Sequence, residues 1–206
     1  HCKSIIIATG VKPRRIGVDR EEELVGNGVS YCALCDGAFY SGEDVCVIGD
    51  ANTALQYALV LSGYCKSVHI CTLFDKFFGD KALLDLVLAR PNVKYTHNLS
   101  LKEFIGEDEL SALRFENTVT HEDVIVDAKC AFICIGQVPH NECFAGLVDI
   151  DKAGYIVADE NCTTSCDGIF VAGDCRTKKI RQLVTAASDG SIAAFNACNY
   201  VDKVKQ

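Results

Sequence analysis

Short apolar runs alternate with amphipathic ones along most of the chain, as expected of strands alternating with helices. Residues 45–48 (Val-Cys-Val-Ile) are apolar at every position, as in a strand buried on both faces, and Gly49 breaks the run. Residues 52–61 carry apolar side chains at Ala54, Leu55, Ala58, Leu59 and Leu61, one broad helical face, with Gly63 as a stop. Residues 67–71 form the next strand, so the stretch reads as a βαβ unit. Asp80 caps an expected helix over 81–89, ended by Pro91, and 93–96 is a third strand. Residues 101–105 and 110–115 flank Gly106-Glu107-Asp108-Glu109 as a hairpin, and 131–135 is a last buried strand.

The two ends read differently. Residues 5–8 predict a buried strand closing at Thr9-Gly10, followed by a basic connector over 12–15 and an acidic loop over 19–23. After Pro139 the alternation fades. Residues 168–174 form a strand ending in Gly173-Asp174, and 182–200 form a long helix with small residues on one face (Ala186, Ala187, Gly190, Ala193, Ala194, Ala197). The pattern predicts an α/β protein without internal repeats.

Composition narrows the class. The 206 residues allow one large or two small domains, and 49% hydrophobic with 23% charged residues is ordinary for a globular chain. No apolar run reaches 18 residues, so no membrane span is expected. A net charge of −8 argues against a nucleic-acid footprint. The 13 cysteines are irregularly spaced, and Cys46, Cys71, Cys130 and Cys134 fall inside apolar runs, where they are expected as small buried hydrophobes in a reducing, cytoplasmic setting. The chain contains no Met and opens on a core-like strand, so it reads as the C-terminal part of something longer.

Three places carry chemistry. The first is Cys32-Ala33-Leu34-Cys35, followed by Asp36 and Gly37. Two thiols at this spacing can close a small disulfide, and Asp36 can take or supply the proton that thiol–disulfide exchange needs. The alternative is half of a zinc site, for which Cys162 and Cys166 are the nearest second pair.

The second is the βαβ turn, Gly49-Asp50-Ala51-Asn52-Thr53-Ala54. Gly49 suits the tight turn and Ala54 allows close helix–strand packing, but Ala51 stands where a glycine would let the backbone approach a pyrophosphate, and Asp50 adds negative charge. The next strand ends in Cys71-Thr72-Leu73-Phe74-Asp75-Lys76-Phe77-Phe78, with no Arg for a 2′-phosphate and only Asp75, late in the stretch, for a ribose. The turn is expected to keep its shape and to bind dinucleotide badly. The third place is Gly173-Asp174 followed by Arg181-Gln182: a carboxylate at a strand end suits a sugar-alcohol hydroxyl, and an ordinary strand–loop–helix corner is the alternative.

In order and spacing, Ala8-Thr9-Gly10, Gly28-Val29-Ser30-Tyr31 with Cys32-Ala33-Leu34-Cys35-Asp36-Gly37, and residues 168–174 with Arg181-Gln182-Leu183 resemble the low-molecular-weight thioredoxin reductases over essentially the whole chain. The resemblance implies two Rossmann-like, three-layer nucleotide-binding domains, one inserted in the other. Residues 15–137 would be the NAD(P)-binding-like domain carrying the dithiol. Residues 1–14 and 138–206 would be an incomplete FAD domain, with hinges near 12–15 and 137–141. It further implies a cytoplasmic homodimer in which reduced FAD passes electrons through Cys32 and Cys35, assisted by Asp36, to thioredoxin. Thr9, Gly10, Gly173, Asp174, Arg181, Gln182 and Leu183 would serve FAD, and Gly49, Ala51, Asn52, Thr53 and Ala54 would form the NADPH-like turn. The departures at Asp50, Ala51 and residues 73–78 are similar to the ferredoxin-dependent clostridial type, which does without NADPH. A basic cluster of Lys178, Lys179 and Arg181 would then meet an acidic ferredoxin. A zinc or structural module, and a flavin-dependent dithiol oxidase, stand as alternatives.

Overall fold

The computed structural model describes residues 1–204, and the chain divides into two compact units, one of His1–Arg14 with residues 137 onward and one of Arg15–Gly136. The chain begins in the first unit with strands β1 (Ile5–Ile7) and β2 (Lys12–Pro13). The second unit contributes β3 (Val29–Ser30), the short helix α1 (Ala33–Asp36), β4 (Asp44–Ile48), α2 (Asn52–Leu61), β5 (Ser67–Cys71), α3 (Lys81–Leu88) and β6 (Val93–Thr96). It continues with β7 (Leu99–Gly106), β8 (Leu110–Asn117), β9 (Asp123–Asp127) and β10 (Cys130–Ile133). Back in the first unit lie β11 (Gln137–Val138), β12 (Ile169–Val171) and the 22-residue helix α4 (Leu183–Val204).

The second unit is built on a five-stranded parallel sheet in the order β3-β10-β4-β5-β6. Its central strands are apolar on both faces because both faces are covered. Along β4, Val45 and Val47 point to the side of α2 and α3, where Ala54, Leu55, Ala58, Leu61 and Val87 bury. Cys46 and Ile48 point to the opposite side, where Leu99, Leu101, Phe104, Leu113 and Phe115 cover them. This third layer is an antiparallel sheet, β7-β8-β9, and not a second set of helices. Strand β9 escaped the pattern reading because only Val126 of its five residues is buried. Phe104 and Phe115 are almost fully buried, and truncating either to Ala would cost about 3–5 kcal/mol.

In the first unit β1 pairs in parallel with β12, and β2 pairs antiparallel with β11. Gln137, expected at the end of the inserted stretch, pairs with Pro13 here and so falls in the first unit. Residues 5–8 were expected to be buried, yet Ile5 and Ile6 are each 42% exposed and Ile7 alone is inside, in an apolar cluster with Val148, Ile156 and Val171. Helix α4 lays Ala193 and Ala197 against Phe170 and Ala172 of the β12 segment. The other small residues of its expected face are not all inside: Ala187 and Ala194 are exposed.

Candidate active site

The redox corner grows out of the edge strand of the parallel sheet. Val29 and Ser30 are buried, and Ser30 is registered opposite Phe132 of β10. The chain then turns at Tyr31 into α1, whose N-cap is Cys32. One turn of helix brings residues three apart to the same side, and Cys32 and Cys35 are joined as a disulfide with their Cα atoms 5.2 Å apart. Cys35 is exposed, as are Leu34 (57%) and Phe39 (83%), so the disulfide opens on a surface with apolar neighbours.

The polar groups behind it are tied together. The Ser30 hydroxyl donates to Asp36 Oδ2 at 2.6 Å and accepts from the Cys32 backbone N–H at 3.1 Å. Tyr31 donates to Glu21 Oε1 at 2.6 Å. Glu21, 3% exposed, also accepts from the backbone N–H groups of Ile16 and Gly17 at 3.1 and 2.8 Å. Burial, then the Glu21 hydrogen bond, push the Tyr31 phenol well above its ordinary range. Pattern reading found Cys32, Cys35 and Asp36 but passed over Ser30 and Glu21. Their only local signal was a polar residue inside a buried strand and one more acid in an acidic loop.

The other cysteines contrast with the pair. Cys46, Cys71, Cys130 and Cys134 are buried, as expected, and burial pushes the thiols of Cys130 and Cys134 up, which keeps them protonated. Cys162, a suggested zinc partner, is buried under α4 with its thiol toward the carbonyl of Asp189. Among the described residues no group of three or more His, Cys, Asp or Glu side chains could hold a metal ion.

The βαβ turn keeps its shape. Gly49 has φ +151°, and a Cβ there would lie 2.6 Å from the carbonyl oxygen of Cys134 and 3.1 Å from Ala54 Cβ, so only glycine fits. Ala51 is the exposed N-cap of α2, and Thr53 is exposed one residue into the helix. The segment after β5 leans on this turn. Phe78 N–H donates to the Asp50 carbonyl at 2.7 Å, Asp80 N–H donates to Asn52 Oδ1 at 2.7 Å, and Asn52 Nδ2 donates to Asp80 Oδ2 at 2.8 Å. Asp80 does stand at the N-cap of α3, but its carboxylate serves Asn52 and not its own helix. Leu73, Phe74 and Phe78 are 49–55% exposed. A shallow cavity of about 520 Å³ there is lined by Leu73, Phe74, Asp75, Asn98, Thr118 and Val119, with no cation among them.

The third place lies in the first unit. Gly173 (φ +80°) opens a short 3-10 turn after β12. Its N–H donates to Asp189 Oδ2 at 2.9 Å, and Asp189 also binds Arg176 Nε and Nη2 at 2.7 and 2.8 Å and Lys178 Nζ at 2.9 Å. Burial pushes Asp189 up, but the hydrogen bonds from Arg176 and Lys178 outweigh it and hold it at about 2. The basic cluster expected from Lys178, Lys179 and Arg181 is engaged in part, with Lys179 exposed. Lys178 is spent on Asp189, and Arg181 lies 4.1 Å from the Tyr155 ring centre with its Nε toward the Asp174 carbonyl. Arg181 and Gln182 precede α4, which starts at Leu183, 86% exposed. Thr9 donates to Asn141 Oδ1 at 3.1 Å, and Asn141, 1% exposed, donates to the carbonyls of Gly154 and Cys175. Asp174 Oδ1 is buried without a hydrogen-bond partner, and burial pushes this carboxyl up.

A surface disulfide carried on a parallel dinucleotide-type sheet is the arrangement of the disulphide oxidoreductase class. Residues 1–190 match the family model of the pyridine nucleotide-disulphide oxidoreductases, and the chain belongs to that family, among the low-molecular-weight thioredoxin reductases. It is 37% identical over 206 residues to a thioredoxin reductase of Peptoclostridium acidaminophilum, covering 97% of this chain and 65% of that protein. It superposes on the thioredoxin reductase of Streptococcus pyogenes with a TM-score of 0.91 and 36% identity, covering 98% of this chain and 66% of that one. A ferredoxin-flavin thioredoxin reductase of Clostridium acetobutylicum is also similar, at 27% identity and a TM-score of 0.50, with 98% and 63% covered. The chain spans about 65% of the length of the curated relatives it matches. Among the described residues no helix is long and apolar enough to cross a membrane.

The family uses FAD, and the residues of the first unit fit it at one point. The buried, unpartnered oxygen of Asp174 is a hydrogen-bond acceptor without a donor, which a sugar-alcohol hydroxyl would satisfy.

Proposed function

We propose that this chain is the dithiol-bearing part of a flavin-dependent thioredoxin reductase whose electron donor is reduced ferredoxin and not NADPH. The observation that carries the disulfide-reductase reading is the Cys32–Cys35 disulfide, held at the surface beside a carboxylate that Ser30 orients. The donor assignment rests on the segment after β5. NADPH recognition needs arginines around the 2′-phosphate, and Leu73, Phe74 and Phe78 stand exposed there instead. The likeness to the ferredoxin-flavin thioredoxin reductase of Clostridium acetobutylicum supports the same donor. Lys178 is engaged by Asp189, so Lys179 and Arg181 would be the members of the basic cluster that meet an acidic ferredoxin.

Asp174 would hold the sugar-alcohol chain of FAD, Thr9, Gly10 and Gly173 would shape the surrounding backbone, and Arg181, Gln182 and Leu183 would border the ring. When bound and reduced by the donor, FAD would supply the two electrons that open the Cys32–Cys35 disulfide. The rest is carried by the corner itself. One thiolate attacks the thioredoxin disulfide, its S–S bond breaks, and a mixed disulfide forms. The second thiol gives its proton to Asp36 and attacks the first sulfur. The mixed disulfide breaks as the Cys32–Cys35 bond closes again, and thioredoxin leaves with two electrons, taking one proton back from Asp36 and one from solvent.

Stopped-flow bleaching of the flavin in the FAD-loaded protein tests the donor. Reduced ferredoxin should bleach it within the turnover time and NADPH should not. Rapid bleaching by micromolar NADPH would overturn the assignment.

A further inference from the structure

We infer that Ser30 is a positioning residue for Asp36: its hydroxyl fixes the carboxylate in one place next to the dithiol turn, where it can take a thiol proton. The inference rests on the reading of Cys32, Cys35 and Asp36 given above. A hydroxyl has one proton to donate. The Cys32 N–H, 3.1 Å away, occupies a lone pair of Ser30 Oγ, and the one proton goes to Asp36 Oδ2 at 2.6 Å. Ser30 is 3% exposed and registered on β10, so the hydroxyl has little freedom to turn to water. The same hydroxyl ties the Cys32 backbone to the Asp36 carboxylate, so the dithiol turn and its proton acceptor share one anchor.

The other titratable groups facing Asp36 do not compete for this task. Tyr40, on the 3-10 turn that follows, has its phenol pushed up to about 12 by burial and by Cys130. Cys130, on β10, is pushed up by burial. Both stay neutral, which leaves the Ser30 hydroxyl as the group that holds the Asp36 carboxylate.

Exchange of the reduced chain with glutathione disulfide tests the role, with peptide mass spectrometry separating Cys32 and Cys35 from the 11 other cysteines. Ser30→Ala should slow exchange roughly tenfold, the worth of about one hydrogen bond to a charged group, and Ser30→Thr, which keeps the hydroxyl, should restore it. Because Ser30 acts through Asp36, Ser30→Ala should add nothing in an Asp36→Asn background. A slowing by Ser30→Ala that persists in full in that background, or no slowing while Asp36→Asn alone slows exchange, overturns the role of Ser30. Exchange unslowed in Asp36→Asn overturns the reading of Asp36 and this role with it.

Discussion

The redox corner and the dinucleotide turn sit at strand ends of one parallel sheet and have fared differently. At the corner the polar groups are engaged: Ser30 with Asp36 and Cys32, Tyr31 with Glu21. At the turn only the backbone is kept. Gly49 still has its positive φ and Ala54 still packs against it, while the side chains that would meet a nucleotide are Ala51, Leu73, Phe74 and Phe78. The difference shows which part of a binding site the fold enforces. A Cβ on Gly49 would strike the Cys134 carbonyl whether or not a ligand is present, so packing retains the glycine. An arginine at position 73 or 74 would contribute nothing to packing, and its loss leaves the sheet intact.

The comparison is most simply broken at the corner. Cys32→Ser or Cys35→Ser should lower thioredoxin-disulfide reduction by a thousandfold or more, since one sulfur cannot close the cycle, as measured by insulin precipitation with thioredoxin. Turnover that survives either change would remove the basis of the contrast. The turn can be sharpened in the opposite direction. Ala51→Gly with Leu73→Arg and Phe74→Arg should raise NADPH affinity roughly 10- to 100-fold, the worth of one or two charge-assisted bonds, by fluorescence titration. No gain would mean that more than these side chains separates this turn from a working site.

The smallest effect concerns stability under the turn. His69 of β5 is 9% exposed, bonds Thr96 Oγ1 at 2.9 Å, and is pushed down to about 4, first by burial and then by Lys94. The folded state therefore resists protonation that the unfolded chain accepts at its ordinary value near 6.5. This contribution is complete above that value and is lost as pH falls toward 4. Between pH 7 and 5 the loss should be about 2 kcal/mol in urea unfolding, and His69→Gln should flatten that slope. An unchanged slope in the variant would place the acid sensitivity elsewhere.

Much of the second unit could be read from the chain. Helix α2 runs over Asn52–Leu61 as its apolar spacing predicts, and β5 and β6 have the expected bounds. These are strongly periodic segments in which local pattern and tertiary burial agree. Strand β9 was missed because four of its five side chains stay in water or half in it. Ile5 and Ile6 misled in the opposite sense, since an apolar run says what could be buried and not what covers it. One member of the basic cluster misled for an electrostatic reason: Lys178 looks free in the sequence, and Asp189, eleven residues on, claims it only after α4 folds back.

By itself, the sequence determined the α/β class, the dithiol with its adjacent acid, and the departures of the turn from the glycine-rich dinucleotide fingerprint. Each of these is a matter of residue type and near-neighbour spacing. Tertiary structure alone decided that Ser30 meets Asp36 at the foot of the disulfide, that Asp189 gathers Arg176 and Lys178, and that Asp174 keeps one buried oxygen unpaired. Those outcomes depend on which side chains the strands and helices bring within hydrogen-bond range, a distance that spacing along the chain does not encode.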